Sequence, residues 1–400
     1  MSGFNIDSHN KNHINLLISI STALKNIKPF KAKITYKKLF YLILFLGLLA
    51  RVYVAFFSDW GWYGHDTEMY LNMAKGIVNG NPISFFPNGF PLFLSGIMFL
   101  AEGSATTILV VLNIVMQMLV IIMMERILTV YNVEEKVKLM AVLIIAFYPH
   151  VVSNVRFVYT ESSSLFLIVL SILLYAFQKY PASGFIGYLS YTFRPSLYLV
   201  VVFMIIYDFF WKKKKPALKT AVGFIAGILL FTSLEWAEVI APSSNQYYNI
   251  LVSISGSGYD LDFKLKNFTD AEIKEPVKTY FNFIAGHPFE YAKQRVYTLW
   301  SLWGPFVPPT EKSGVWGMIL HGLRFPFFIL AVFCLIFRKK MEYNKDFVIL
   351  MSFPIISVTL IHFLTFSSQR HQFTAEPFAV ILSVLFLDYL FKSRRESKKI

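Results

Sequence analysis

The chain has 400 residues, of which 56% are apolar, 18% aromatic and only 16% charged, with a formal net charge of +14. A soluble globular protein carries about 25% charged and about 45–50% apolar residues, so this composition belongs to a membrane protein. The single cysteine, Cys334, excludes an intramolecular disulfide framework and any Cys-rich zinc or iron–sulfur site. Basic residues gather in short clusters beside apolar runs, which fits the positive-inside rule and excludes nucleic-acid binding as the main reading.

About 20 apolar residues suffice to cross a bilayer. The clear candidates are 39–57, 105–126, 139–156, 217–236, 315–337, 346–366 and 378–391. The region 162–211 reads as three short pieces, 162–178, 183–193 and 196–211, punctuated by Lys179-Tyr180-Pro181 and Arg194-Pro195. The first 38 residues carry Lys11, Lys25, Lys28, Lys31, Lys33, Lys37 and Lys38 against Asp7, which puts the N-terminus in the cytoplasm. The run Lys212–Lys215, the cluster Arg338-Lys339-Lys340 and the tail Lys392, Arg394, Arg395, Lys398, Lys399 should also be inside. An odd number of crossings must then separate Arg156 from Lys212. Three short crossings satisfy this and place Arg194 at the outer face; one long crossing would bury Lys179 and Arg194 together.

The expected product is an all-α polytopic membrane protein of about ten transmembrane helices, multi-pass in the cell membrane, with both termini cytoplasmic. Residues 1–38 form a cytoplasmic basic N-terminus, 39–391 the transmembrane domain and 392–400 a cytoplasmic basic tail. The N-terminal part lacks a small-residue cleavage site and does not read as a cleavable signal. Two outer loops, 58–104 and 237–312, are too long for simple connectors. In the first, Asp66, Tyr70, Leu71, Ala74, Ile77 and Val78 have helical spacing, closed by Asn79-Gly80-Asn81-Pro82. A second apolar piece, 90–101, is short for a span and is expected at the interface. The other loop ends in Tyr297-Thr298-Leu299-Trp300-Ser301-Leu302-Trp303, an aromatic-belt pattern expected as an amphipathic helix on the outer surface.

Ionisable groups near hydrocarbon are costly and point to function. Four sets stand out, all on the outer side of this topology. Asp66, within Gly64-His65-Asp66-Thr67-Glu68, is either a general base or the cap of the helix that follows. Arg51, late in the first span, either snorkels to the headgroups or binds a ligand. Arg156 could pair with Glu161, or Thr160 and Glu161 could simply begin a helix. Arg194 and the segment Ser367-Ser368-Gln369-Arg370-His371 supply guanidinium groups, whose planar fork suits phosphate; the alternative is ordinary contact with lipid headgroups. The sequence has no P-loop, no GxGxxG after a strand, no HExxH and no GxSxG. Asn267-Phe268-Thr269 matches a glycosylation sequon and decides nothing by itself.

In order, these features resemble the GT-C polytopic membrane glycosyltransferases, in particular the protein O-mannosyltransferase and aminoarabinose-transferase-like branch. The resemblance rests on Arg51; Asp66, Tyr70, Ala74 and Gly80; Phe86-Pro87-Asn88-Gly89-Phe90-Pro91-Leu92; and Tyr148-Pro149 before Thr160-Glu161. It continues through Arg194-Pro195, His287-Pro288 leading to Trp300, and Arg370-His371-Gln372-Phe373 with Pro377. His371 stands where the family more often has tyrosine, and the expectation is that no large soluble domain follows the last span, as one does in some members.

The resemblance implies a GT-C-like helical bundle with outer-face juxtamembrane helices. It further implies an inverting hexosyl- or pentosyltransferase that takes its sugar from a polyprenyl-phosphate donor and passes it to a glycan, lipid or protein acceptor on the outer face. By the same resemblance Asp66 is the base that deprotonates the acceptor. Arg194 and Arg370 bind the donor phosphate, and Arg51, Glu161 and His371 are secondary candidates to orient substrate or base. A divalent metal is used by some members; Asp66 and Glu161 could contribute to one, but no dedicated metal site is evident. A transporter or flippase for a lipid-linked anion is the competing class. It would place its charges near the bilayer midplane on broken helices, often with repeat symmetry. A noncatalytic subunit presenting loop 237–312 would leave Asp66 dispensable.

Overall fold

The computed structural model describes residues 35–58, 65–83, 86–242, 251, 269, 274–304, 314–365 and 371–397, with backbone alone at 65 and 314–321. The chain divides into a short unit, 1–39, and a larger one, 40–400. Every apolar segment picked out above is helical, and no strand occurs among the described residues.

The first helix, α1 (Tyr36–Phe57), is followed by α2 (His65–Val78) and α3 (Gly89–Ala101). The α2 pattern folds as its spacing predicts. Asp66 and Glu68 lie in its first turn and Lys75 in its last, each at the end its charge favours. At its stop, Gly80 takes φ +70° and the Asn81 N–H returns to the Gly76 carbonyl at 2.8 Å. The piece expected at the interface is α3, which passes through one 3-10 turn into α4 (Ala105–Val130).

Pro149 shapes the next element. A proline has no N–H to give the carbonyl four residues back. The chain accordingly bends by 44° at Tyr148, between α5 (Glu135–Phe147) and the short α6 (Pro149–Ser153) with the 3-10 turn after it. The region 162–211 becomes α7 (Glu161–Ala176), α8 (Tyr180–Phe193) and α9 (Tyr198–Trp211), so the two punctuation points are true breaks. Then come α10 (Lys214–Trp236), α11 (Pro276–Gly286), α12 (Pro288–Trp303), α13 (Gly314–Phe337), α14 (Lys345–Leu364) and α15 (Glu376–Ser397).

Among the described residues, four helical segments are individually long and apolar enough to cross a membrane, and a fifth if the bent 135–156 pair counts as one. Apolar helices at 161–176, 195–211 and 322–337 are shorter. A helix buried on every side belongs in a core. That describes α15, which is buried without interruption from Glu376 to Phe386. Helices α8 and α10 approach so closely that a Cβ on Gly184 would stand 2.0 Å from the Thr220 carbonyl oxygen. A Cβ on Gly223 would stand 1.8 Å from that of Pro181. Small residues are what let apolar helices meet backbone to backbone without a hydrophobic drive between them.

The bundle has two chemically distinct ends. At one, Lys212 meets Asp346 at 3.3 Å, Tyr343 donates to Asp388 at 2.6 Å, and Lys392 bonds Glu134. Burial, and then the bond to Asp388, push the Tyr343 phenol above its ordinary value. The chain reversals at 131–135, 212–214 and 338–345 are thereby stitched together. At the other end lie the start of α7, the end of α8 and the start of α15.

Candidate functional site

Arg194 owes its position to Pro195. The residue before a proline is pushed out of the helical region, and Arg194 adopts φ −147°, ψ 105°, ending α8 and leading into a 3-10 turn. Its Nη1 lies 3.0 Å from Glu161 Oε1 and donates to Thr160 Oγ1 at 3.4 Å. Both charges are buried, Arg194 at 7% exposure and Glu161 at 2%. Glu161 opens α7, with Thr160 in the cap position. The pairing of Arg156 with Glu161 that proximity in sequence suggested is replaced by this longer-range one. Arg156 instead donates to the Ser58 carbonyl, tying the end of α1 to the turn before α7.

Arg51 does not snorkel; it is fully buried. Its Nε donates to Gln117 Oε1 at 3.0 Å, and its Nη1 to the carbonyls of Gly47 at 3.0 Å and Ala146 at 2.8 Å. A cation at the C-terminal carbonyls of α5 meets the negative end of that helix, where the bend leaves acceptors to satisfy. Gln117 in turn donates to Ser162 Oγ at 3.0 Å. One turn earlier, Asn113 donates to the carbonyls of Val155 and Phe157 at 3.1 and 3.0 Å. A polar chain thus runs from α1 through α4 to the first turn of α7, ending beside Glu161.

Asp66 lies inside the first turn of α2 rather than ahead of it, and is partly buried. One turn on, the Tyr70 ring meets Phe90 edge-on at 5.0 Å, and Phe90 meets Phe193 at 6.0 Å. Phe193 precedes Arg194, so α2 is seated on the same end of the bundle as the ion pair. His371 stacks on His362, near the end of α14, with centroids 4.2 Å apart. Arg370 lies outside the described residues, as do Ser367, Ser368 and Gln369.

Three groups escaped the sequence reading. His150 Nδ1 lies 3.0 and 2.8 Å from the two carboxylate oxygens of Glu376. Gln117 is the bridge just described. Arg295, in the expected amphipathic helix α12, donates to the carbonyls of Phe363 and Thr365 at 2.7 and 2.8 Å and so caps α14. Burial pulls the Arg295 guanidinium below its ordinary pKa. Asn113 and Gln117, four apart on an otherwise apolar helix, were a legible signal, as was an acidic residue beside Pro377 at the start of an apolar run.

A divalent ion needs several carboxylate, imidazole or carbonyl ligands gathered at one point. Among the described residues no group of three or more His, Cys, Asp and Glu is placed to hold one. Glu161 already faces the Arg194 guanidinium.

No family model matches the chain, and no curated protein matches it. Solved structures do. The archaeal oligosaccharyltransferase AglB from Archaeoglobus fulgidus, in complex with an inhibitory peptide and a dolichol-phosphate, is similar with a TM-score of 0.50 at 13% identity; the match covers 91% of this chain and 52% of that one. The apo form of the Archaeoglobus fulgidus oligosaccharyltransferase is similar with a TM-score of 0.50 at 12% identity, over 93% and 52%. The chain spans about half the length of these structures. At such identity the likeness is one of fold alone.

Proposed function

We propose that the protein is an integral membrane glycosyltransferase of the GT-C class, moving a hexosyl or pentosyl group from a polyprenyl-phosphate donor to an acceptor on the outer face. The observation that carries this reading is the buried Glu161–Arg194 pair, set at the end of the bundle where α2 presents Asp66. A fold like that of an oligosaccharyltransferase solved with dolichol-phosphate supports a lipid-linked donor. The orientation is supported by the basic clusters. Lys212–Lys215, Arg338-Lys339-Lys340 and Lys392 with Arg394 and Arg395 all fall at the end opposite this pair, which would be cytoplasmic. Ten crossings with both termini inside fit that division; the aminoarabinose-transferase and O-mannosyltransferase branch rests on the order of the sequence features alone.

In the proposed reaction the acceptor hydroxyl attacks the anomeric carbon from the face opposite the phosphate. Asp66 takes the hydroxyl proton as the new bond forms. The bond from the anomeric carbon to the phosphate oxygen breaks, and its electron pair leaves on the phosphate. Arg194 and Arg370 stabilise the charge that grows there. Glu161 holds Arg194 in place, and Arg51 and His371 support the surrounding helix ends. The test is Asp66→Asn in purified protein supplied with polyprenyl-phosphate sugar. Transfer should be lost while insertion and thermal stability stay normal; retained transfer would sink the base assignment.

A further inference from the structure

His150 and Glu376 come from distant parts of the chain and meet at the Glu161 end of the bundle. Glu376 is 2% exposed, and both its oxygens lie on His150 Nδ1. An ionised carboxylate only accepts, so Nδ1 carries the proton and the ring is fixed in orientation. Phe373 holds the ring edge-on at 5.4 Å. The backbone is held as well: the His150 carbonyl accepts from Asn154 Nδ2 at 2.8 Å and Ser153 Oγ at 3.1 Å. The imidazole side chain is 20% exposed against 3% for the glutamate, so the pair opens on the histidine side. In its imidazolium form the ring donates through both nitrogens, to Glu376 through Nδ1 and to a ligand through Nε2.

The pair lies at the same end of the bundle as Glu161 and Arg194. One turn before His150, the Ala146 carbonyl accepts from Arg51, and Arg51 continues through Gln117 to Ser162 beside Glu161. Phe373, packed on the His150 ring, lies three residues from Arg370 in sequence. Arg194 already faces a carboxylate, so an anion bound at this end gains from a further donor.

We propose that His150 donates a hydrogen bond from Nε2 to a phosphate oxygen of the lipid-linked donor, with Glu376 as its positioning residue. The proposal rests on the donor assigned above. As the sugar–oxygen bond breaks, the electron pair stays on the phosphate and the acceptor's proton goes to Asp66. His150 keeps its proton, and its bond strengthens as the phosphate charge grows.

The experiment uses the full-length protein in lipid nanodiscs and two probes, undecaprenyl phosphate and undecaprenol, the same chain without the phosphate. Losing a hydrogen bond to a charged group corresponds to about tenfold or more in affinity. His150→Phe should weaken undecaprenyl phosphate by about that factor and leave undecaprenol unchanged. His150→Gln, which keeps an N–H donor, should recover most of the loss, and Glu376→Gln should fall between. A purely structural role would weaken both probes together, and would overturn the proposal. So would wild-type phosphate affinity in both His150 variants. If the unaltered protein shows no preference for the phosphate over the alcohol, the lipid-phosphate donor itself is refuted, which separates the two failures.

Discussion

Arg194→Met leaves the Glu161 carboxylate without the guanidinium that stands 3.0 Å away. The two side chains are 9% and 3% exposed, so neither charge can turn to water. Removing one member of a buried pair costs about 3–5 kcal/mol, while replacing both with apolar groups of similar volume is often neutral or stabilising. Arg194→Met and Glu161→Leu should therefore each destabilise by several kcal/mol, and the double variant should recover most of that. The coupling energy expected, the two singles added less the double, is on the order of 6 kcal/mol. Unfolding of the four proteins in mixed micelles, followed by circular dichroism, closes the double-mutant cycle. Single variants within about 0.5 kcal/mol of the parent, typical of surface changes, would refute the buried pair. A double variant destabilised by as much as the two singles added together would refute the coupling. Transfer activity then separates structure from chemistry: the double variant should fold and still be inactive, because it lacks the guanidinium proposed for the donor phosphate.

Other consequences follow from particular contacts. Gly223→Ala puts a methyl group 1.8 Å from the Pro181 carbonyl oxygen; overpacking of this kind costs about 1–3 kcal/mol, read as a lowered melting temperature with activity per folded molecule unchanged. Gln117→Leu removes the bridge between Arg51 and Ser162 and should destabilise by about 1–3 kcal/mol, the cost of leaving buried polar groups unsatisfied; Gln117→Glu should rescue it by pairing with Arg51. Lys213→Cys should label only from the cytoplasmic side, against a low background because the native Cys334 is buried. Labelling from outside would overturn the orientation.

The helices were legible because apolar runs and their proline and glycine punctuation act locally. Asp66 to Val78 declared its helix through spacing, and Arg194-Pro195 declared a break, for reasons confined to a few residues. The partners of the charges were not legible. Arg156 looked like the mate of Glu161 because it was near in sequence, yet α8 returns antiparallel to α7 and brings Arg194 instead. Arg51 looked like a headgroup contact because sequence shows depth along a helix but not which side it faces; in the fold it turns inward to Gln117 and the end of α5. His150 and Glu376 were passed over beside the prolines that drew notice, since their meaning exists only when α6 and α15 meet.

The claim that matters most is the transfer of sugar from a lipid phosphate on the outer face. Mass spectrometry of cell-surface glycans and glycolipids, with and without the gene, addresses it directly. The account predicts that loss of the protein removes one sugar from a surface product and leaves the corresponding polyprenyl-phosphate sugar accumulated. Restoring the wild-type chain should reverse both changes, and restoring Asp66→Asn should reverse neither. Surface products and lipid-linked sugars identical in all four strains would contradict it.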